Sequence, residues 1–199
     1  MKLFKKSLLH CLFMTKVLIF NGSPRRNGNT STLIKECLRA IKDSGKEAEI
    51  FFLNDMTIKP CQFCDWCIDN NALSCIEEDD MTELYPKLLE SDVLIFAAPI
   101  FWFTISAQMK LFIDRLYALH GKGGYALTQK KIGTIFVYGD SNVDSSGVNN
   151  AIGMMKDLIS YMRSEDIGIV HGTAHKIGDA AKNTELMTQA YDLGLKVSK

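Results

Sequence analysis

Five apolar or β-branched runs alternate along the chain with segments whose apolar residues recur at helical spacing. Each run is short enough to be one strand, and the runs are 16–20, 48–53, 93–98, 131–138 and 167–171. The first, third and fourth are almost continuously apolar, which is typical of strands covered on both faces. This alternation predicts an α/β fold with a parallel sheet and helices on both sides of it.

Two doubly wound topologies satisfy this pattern, the dinucleotide-binding order and the flavodoxin-like five-stranded order 2-1-3-4-5. In both of them ligands bind outside the carboxyl ends of the strands, so we expect the site in the loops after Phe20, Ala98 and Tyr138. Residues 104–119 are predicted as one helix. Pro86 is expected to kink the third helix or to delay its start, because proline lacks the N–H and crowds the preceding turn.

Length and charge narrow the function classes. The 199 residues suit one domain, and 23 Lys+Arg balance 23 Asp+Glu. Without a basic excess we expect no nucleic-acid binding, and without a long apolar run we expect no membrane span. We expect a cytoplasmic protein whose domain covers residues 14–199, after an extension of unknown role at 1–13, with Met14 as an alternative start. In a reducing compartment cysteines are more often ligands, redox thiols or packing residues than disulfides.

The loop after the first run reads NGSPRRNGNTST and leads directly into a predicted helix. The backbone N–H groups and the dipole at a helix N-terminus attract anions. The loop lacks the lysine of a Walker A motif and the pattern G-x-G-x-x-G. It favours a cradle for a monophosphate, although a polar turn with good N-caps would look the same. Side-chain donors and positive charge come from Ser23, Asn29, Thr30, Ser31 and Arg25 or Arg26.

Three consecutive aromatic residues, Phe101, Trp102 and Phe103, follow the third run. They cannot all point into one core, and a planar apolar ligand would explain their position at the expected binding edge. Alternatively, Phe101 and Phe103 pack under neighbouring helices while Trp102 covers the surface or a subunit interface.

Taken together, the segments NGSPRRNGNTSTL, PIFWFTISAQMKLFIDRLY and YGDSN resemble those of the flavodoxin-like NAD(P)H-dependent FMN reductases, over about residues 14–198. The resemblance implies the flavodoxin-like order, FMN as cofactor, NAD(P)H as donor, and a quinone, flavin or protein as electron acceptor. It also implies a homo-oligomer, a dimer or tetramer, because relatives complete the flavin pocket from a neighbouring subunit. The flavin supplies the redox chemistry, so no catalytic side chain is predicted.

The same resemblance assigns the FMN contacts. The phosphate would be held by Ser23, Arg25, Asn29, Thr30 and Ser31. The ring would lie against Pro99, Ile100, Phe101, Trp102 and Phe103, with Tyr138, Gly139 and Asp140 on its other border. Phe101 departs from the family, in which many members carry a tyrosine there; the change removes a hydroxyl contact and affects tuning more than binding.

A compact cysteine run follows the second predicted strand. Cys61, Cys64 and Cys67 stand three residues apart, and Cys75 follows after seven more residues. Thiolates at this density suit a soft metal centre, although the fourth spacing differs from that of bacterial ferredoxins. Among flavodoxin-like proteins the run resembles that of the iron–sulfur flavoproteins, where it holds a [4Fe–4S] cluster.

Several alternatives remain open for these cysteines: a zinc site, a redox dithiol, or a loop without metal. A cluster would favour an electron-transfer protein that relays single electrons to or from FMN. Zinc would favour a binding module without redox chemistry.

Other candidate residues are assigned structural roles. Cys37 is expected to pack in the core, and the four histidines share no ligand spacing. Asp114 and Arg115 are interpreted as an exposed or interface ion pair. The acidic run 77–80 is predicted to begin a helix, with Asp80 and Glu83 at the spacing of a capping box.

Overall fold

The computed structural model describes residues 15–197, so the predicted extension at 1–13 and the alternative start at Met14 lie outside the described residues. The strands are β1 (Val17–Asn21), β2 (Ala48–Phe52), β3 (Val93–Phe101), β4 (Thr104–Ile105), β5 (His120–Gly121), β6 (Gly124–Tyr125), β7 (Lys131–Tyr138) and β8 (Glu165–Thr173). The helices are α1 (Asn29–Asp43), α2 (Trp66–Asp69), α3 (Met81–Glu90), α4 (Ala107–Arg115), α5 (Val143–Ser146), α6 (Val148–Met162), α7 (Asp179–Lys182) and α8 (Thr184–Lys196). Two 3-10 turns cover Leu53–Asp55 and Leu116–Leu119.

The five long strands form a parallel sheet in the order β2-β1-β3-β7-β8. Counted without the short strands this is 2-1-3-4-5, so the flavodoxin-like prediction is confirmed and the dinucleotide-binding order is wrong. The five predicted runs correspond to these five strands, and the fourth matches β7 at both ends. The short β4 folds back antiparallel onto the end of β3, with Phe101 opposite Thr104.

Helices bury both faces of the sheet, as the apolar strands require. On one face α1 and α8 cover a core that includes Ile19, Leu33 and Leu193. On the other face α3, α4 and α6 cover an aromatic core, in which Phe20 stacks on Phe112 with ring centroids 4.2 Å apart.

The contact between α1 and α8 is close. A Cβ at Gly194 would lie 2.3 Å from the carbonyl oxygen of Cys37, so α8 needs glycine there. Cys37 itself is fully buried, and burial raises the pKa of its thiol to about 12. The prediction that Cys37 is a packing residue is therefore confirmed.

The prediction of a single helix over residues 104–119 is wrong, and of the two outcomes expected at Pro86 the delayed start does not occur. Residues 104–119 are not one helix, because Thr104 and Ile105 pair with β3 and Ser106 becomes the N-cap, its Oγ accepting from the N–H of Met109. Helix α3 starts at Met81 and contains Pro86, so its start is not delayed. Pro86 is exposed, so the ring is accommodated on the solvent side of the helix.

The predicted capping box is also wrong. Asp80 Oδ2 accepts from the N–H of Thr57 at 2.7 Å, and Asp79 Oδ1 accepts from the N–H of Met81 at 2.9 Å. None of the helices within residues 15–197 is long and apolar enough to cross a membrane.

Candidate functional site

A cavity of about 260 Å³ opens at the carboxyl ends of β1, β3, β7 and β8, where ligands of this fold bind. Nine of the predicted FMN-binding residues line it: Ser23, Arg25, Asn29, Thr30, Pro99, Ile100, Phe101, Tyr138 and Gly139. The lining also contains four residues that the sequence did not indicate: Gly28, Val137, Ala174 and His175. The other four predicted residues, Ser31, Trp102, Phe103 and Asp140, lie outside this lining.

The N-terminus of α1 forms one wall of this cavity. Its N-cap residue is Gly28, which has no side chain to cap the helix, and the first turn contains no acidic residue. The first backbone N–H groups of a helix lack partners within it, and the dipole makes this end positive. An anion in the cavity would accept hydrogen bonds from these N–H groups and would be attracted by the positive end of the helix dipole.

A buried hydrogen-bond network shapes the loop between β1 and α1. The Nδ2 of Asn21 donates to Ser31 Oγ at 3.0 Å, and its Oδ1 accepts from the N–H of Ser23 at 2.9 Å. Ser31 Oγ in turn lies 3.4 Å from the carbonyl oxygen of Arg25. Ser31 therefore holds the loop together from inside. Sequence reasoning missed Asn21, for which the available signal was an amide ending an apolar strand.

The structure distinguishes the two candidate arginines. Arg26 forms an ion pair with Asp55, and its guanidinium lies 5.0 Å from the ring centroid of Phe52. Arg25 lines the cavity and makes no salt bridge within residues 15–197. Arg25 is therefore the arginine available to a bound phosphate.

The side chain of Asn29 fastens the loop after β8 to α1. Its Nδ2 donates to the carbonyl oxygens of Ala174 at 3.0 Å and Lys176 at 2.9 Å. Its Oδ1 accepts from the N–H of Gly178 at 3.1 Å and of Ala180 at 3.3 Å. Asn29 therefore lines the cavity from the first turn of α1, but the hydrogen bonds of its side-chain amide all go to residues 174–180.

That loop carries His175 to the cavity. A Cβ at Gly139 would lie 2.6 Å from the Nδ1 of His175, so glycine allows the imidazole to approach the end of β7. The four histidines share no ligand spacing, and no local sequence signal indicates a role for His175. Only the contact between two loops reveals it.

The aromatic residues after β3 form a strained hairpin. Trp102 and Phe103 occupy its two-residue turn with φ of 51° and 70°, values that favour Asn-Gly because side chains crowd the backbone there. Phe101, Trp102 and Phe103 are 46%, 91% and 56% exposed, so the alternative in which Phe101 and Phe103 pack under helices is wrong. The turn is held by a hydrogen bond from Asn150 Nδ2 to the carbonyl oxygen of Phe103 at 3.1 Å.

Asp140 stands just beyond β7, at the rim of the cavity. A hydrogen bond from the Ser145 side chain and another from the N–H of Ser141 hold the pKa of its carboxyl below the ordinary range. Its backbone carbonyl accepts from Thr173 Oγ1 at 2.8 Å, which ties the loops after β7 and β8 together. Asp140 is thus a carboxylate, and its hydrogen bonds order this border of the cavity.

A second cavity, of about 370 Å³, lies at the C-terminal end of α4. All four predicted ligands, Cys61, Cys64, Cys67 and Cys75, line it. Burial raises the pKa of the Cys67 thiol, and the neighbouring thiols of Cys75 and Cys61 raise it further, against a lowering by backbone N–H groups. The structure therefore brings all four thiols to the lining of one cavity, where Cys67 interacts with Cys61 and Cys75.

The backbone around these cysteines alternates in handedness. Phe63, Asp65, Asn71 and Leu73 have φ between 49° and 54°, whereas Asp65 is followed directly by the right-handed turn of α2. Such alternation gathers N–H groups into a concavity that suits anions, including iron–sulfur clusters. The N–H of Phe63 already points at Cys61 Sγ, at 3.5 Å.

The donor set of this cavity suits a soft metal centre. Its four thiols line one space, and a [4Fe–4S] cluster would bind one cysteine at each iron. Among residues 15–197, however, no group of three or more Cys, His, Asp or Glu is gathered so that it could hold a metal ion.

A buried ion pair closes the base of this cavity. Arg115 is 1% exposed and pairs with Asp79, whose side chain is fully buried. Burial alone would raise the pKa of Asp79, but hydrogen bonds from Arg115 and from the N–H groups of Lys59 and Met81 hold it below the ordinary range. The interpretation of Asp114 and Arg115 as a pair is wrong, because Asp114 pairs with Lys110. Adjacent residues of a helix point in different directions.

Comparison with known proteins agrees with this geometry. Residues 15–164 match the family of NADPH-dependent FMN reductases. The chain belongs to this family. It is 30% identical over 184 residues to an iron–sulfur flavoprotein of Methanocaldococcus jannaschii, covering 92% of each chain. It is 33% identical over 127 residues to an iron–sulfur flavoprotein of Methanosarcina thermophila, covering 64% of this chain and 65% of the relative.

The fold also matches solved structures. An FMN-dependent NADH-azoreductase from Bacillus anthracis, solved with FMN, superposes with a TM-score of 0.69 at 15% identity, covering 93% of this chain and all of the other. At that identity the likeness concerns the fold alone. Family membership makes this FMN reductase an NAD(P)H-dependent flavin oxidoreductase with FMN as cofactor, and it belongs with the iron–sulfur flavoprotein branch. The uncapped α1 and the unpaired Arg25 fit a flavin phosphate.

Proposed function

We propose that this flavin oxidoreductase carries a [4Fe–4S] cluster on Cys61, Cys64, Cys67 and Cys75 and relays electrons between FMN and a protein acceptor that takes one electron at a time. The observation that carries the proposal is the convergence of all four thiols on one cavity of about 370 Å³. Relatives that are named iron–sulfur flavoproteins support it.

In this proposal FMN binds in the first cavity, of about 260 Å³, which is called the flavin cavity below. Ser23, Thr30, Arg25 and the backbone of α1 would hold the phosphate, with the side chains of Asn29 and Ser31 ordering the loops around it. Pro99, Ile100 and the hairpin of Phe101, Trp102 and Phe103 would border the ring on one side, and Tyr138, Gly139 and Asp140 on the other. Bound FMN supplies hydride and single-electron chemistry, while the protein supplies position and electrostatics.

Helix α4 connects the two cavities. At its N-terminus Ser106 Oγ donates to the carbonyl oxygen of Gly22 at 2.7 Å, beside the phosphate loop. At its C-terminus Arg115 lines the cysteine cavity. Nine residues at about 1.5 Å of rise each span about 14 Å. A helix of this length between the two proposed sites supports electron relay through the packed core.

A second candidate function is direct reduction of a flat acceptor, such as a quinone or a second flavin. The exposed aromatic hairpin at the rim of the flavin cavity favours it, because Trp102 offers a planar apolar surface that is 91% exposed. The same surface would be covered in a homo-oligomer, a dimer or tetramer. Strain at two bulky residues is typical of functional sites.

The test compares two cysteine variants under anaerobic conditions. We expect Cys64→Ala to lose the iron but to keep FMN, which NADH or NADPH still bleaches, and to lose reduction of a ferredoxin-type acceptor. Cys37→Ala, in the core under α1, is the matched control and keeps both iron and acceptor reduction. If Cys64→Ala reduces the protein acceptor as fast as the unmodified protein, the cluster is not in the relay. Retained quinone reduction alone would favour the second candidate.

A further inference from the structure

The guanidinium of Arg115 has one N–H for which residues 15–197 supply no acceptor. Its Nη1 donates to the carbonyl oxygen of Lys59 at 2.8 Å and to Asp79. Its Nη2 lies 3.3 Å from Asp79 Oδ1 and 3.5 Å from the carbonyl oxygen of Glu77. The remaining donor, Nε, is buried and has no hydrogen-bond partner in residues 15–197. Buried donors of charged groups are rarely left unsatisfied, so an acceptor is expected beside it.

The cysteine cavity is the place where such an acceptor can be. Arg115 and all four cysteines line the same cavity. Asp79 binds the guanidinium at Nη1 and Nη2, and Asp79 is itself fixed by the N–H groups of Lys59 and Met81 at 2.9 Å each. The guanidinium is therefore held rigidly, with its free donor and its charge beside a site built for sulfur ligands.

We propose that Arg115 is a positioning residue for the iron–sulfur site, whose Nε–H donates a hydrogen bond to a sulfur of the cluster and so raises the cluster's reduction potential. The inference rests on the proposed function. One-electron reduction adds one negative charge and no proton to a centre that four thiolates already make negative. A buried N–H donor on a cation stabilises that added charge, and hydrogen bonds to the sulfurs are known to set such potentials.

The first test is Arg115→Lys, which keeps the positive charge and the approximate length but lacks Nε. We expect this variant to keep its iron and to show a more negative cluster midpoint potential in an EPR-monitored redox titration, with the flavin potential unchanged. Lys110→Met, an exposed residue of the same helix, is the control and leaves both potentials unchanged. A fully iron-loaded Arg115→Lys protein with an unshifted cluster potential would overturn the proposal.

A second test uses the unmodified sequence, so that it does not depend on folding of the variant. Protein grown with ¹⁵N-labelled arginine is reduced and its cluster signal is measured by pulsed EPR. We expect a ¹⁵N coupling from Arg115, since the arginines at 25, 26, 39 and 163 do not line the cavity. Absence of that coupling from an iron-loaded sample overturns the role of Arg115 alone. Absence of iron and sulfide from the unmodified protein overturns the proposed function and this inference with it.

Discussion

The two cavities at the ends of α4 are built in different ways. The proposed flavin cavity lies where four strands of one parallel sheet end, and residues of β3, β7, α1 and the loop after β1 form much of its lining. The four cysteines of the other cavity lie within residues 56–80, a segment whose regular structure is limited to the four residues of α2. The sheet fixes the first site, whereas the second depends on contacts made by a few side chains.

Those few side chains join the two ends of the cysteine segment. Thr57 and Asp80 exchange hydrogen bonds of 2.7 Å and 3.2 Å, from the N–H of Thr57 to the Asp80 carboxylate and from the N–H of Asp80 to the Thr57 carbonyl. Lys59 pairs with Glu77 at 2.8 Å. Arg115 and Asp79 then anchor both ends to α4. One buried ion pair therefore holds the ends of this segment in place, as strand pairing holds the walls of the flavin cavity in place.

The largest expected effect comes from Asp79→Ala, because it leaves the Arg115 charge buried without a partner. We expect the free energy of unfolding in urea to fall by about 3–5 kcal/mol. Asp114→Ala, which breaks the exposed pair with Lys110, is the control and should cost about 0–1 kcal/mol. Equal losses from the two variants would contradict the anchoring role of the buried pair.

The flavin cavity is tested by Thr30→Val combined with Ser31→Ala. Loss of the hydrogen bonds that these hydroxyls make to the bound phosphate or within its loop should weaken FMN binding by about 1–3 kcal/mol. Flavin fluorescence titration of the apoprotein gives the Kd. Thr32→Val serves as the control, since Thr32 Oγ1 bonds to the carbonyl of Gly28 and lies outside the cavity lining. An unchanged Kd for the double variant would count against the phosphate cradle.

We expect a substitution in the aromatic hairpin to raise the stability of the protein and to lower its activity. Replacing Trp102 by Asn and Phe103 by Gly supplies the residues that its backbone conformation favours, so we expect the protein to become about 1–2 kcal/mol more stable. The same double variant should reduce flat acceptors more slowly with NADH as donor. Thermal unfolding and steady-state rates measure the two effects. A variant that is less stable than the unmodified protein would show that the positive φ values impose no strain.

The smallest effect is a pH dependence specific to the cysteine segment. Because the pKa of Asp79 is lower in the folded protein than its ordinary value near 3.9, the carboxylate contributes stability above about pH 4, and that stability is lost as the pH falls through the folded pKa. Asp79→Asn should therefore lose less stability between neutral pH and acid pH than the unmodified protein. Urea unfolding at a series of pH values tests this, and parallel curves would refute it.

The flavin cavity could be predicted from the sequence because general rules of the fold locate it. The apolar run 131–138 ends where β7 ends, which predicts Tyr138 and Gly139 at the ligand edge of the sheet. The polar loop into α1 likewise indicated Ser23 and Thr30, which line the cavity, and left Arg25 and Arg26 as alternatives, of which Arg25 lines it. Such residues follow from strand ends and helix starts, which are local properties.

The residues that escaped prediction depend on tertiary contacts. Arg115 was expected at the surface, and its burial depends on Asp79, 36 residues earlier in the chain. His175 reaches the flavin cavity because Asn29, about 145 residues away, binds the backbone next to it. The turn at Trp102 and Phe103 has none of the residues that normally mark such a turn, so no pattern could reveal it.

The most direct measurement is the visible absorption spectrum of anaerobically purified protein, with iron and acid-labile sulfide assayed on the same sample. Our account predicts flavin bands on a broad brown absorbance, with about four irons and four sulfides per chain. A clean yellow flavin spectrum without iron or sulfide would contradict it. The chain would then be an FMN reductase whose four cysteines hold no cluster.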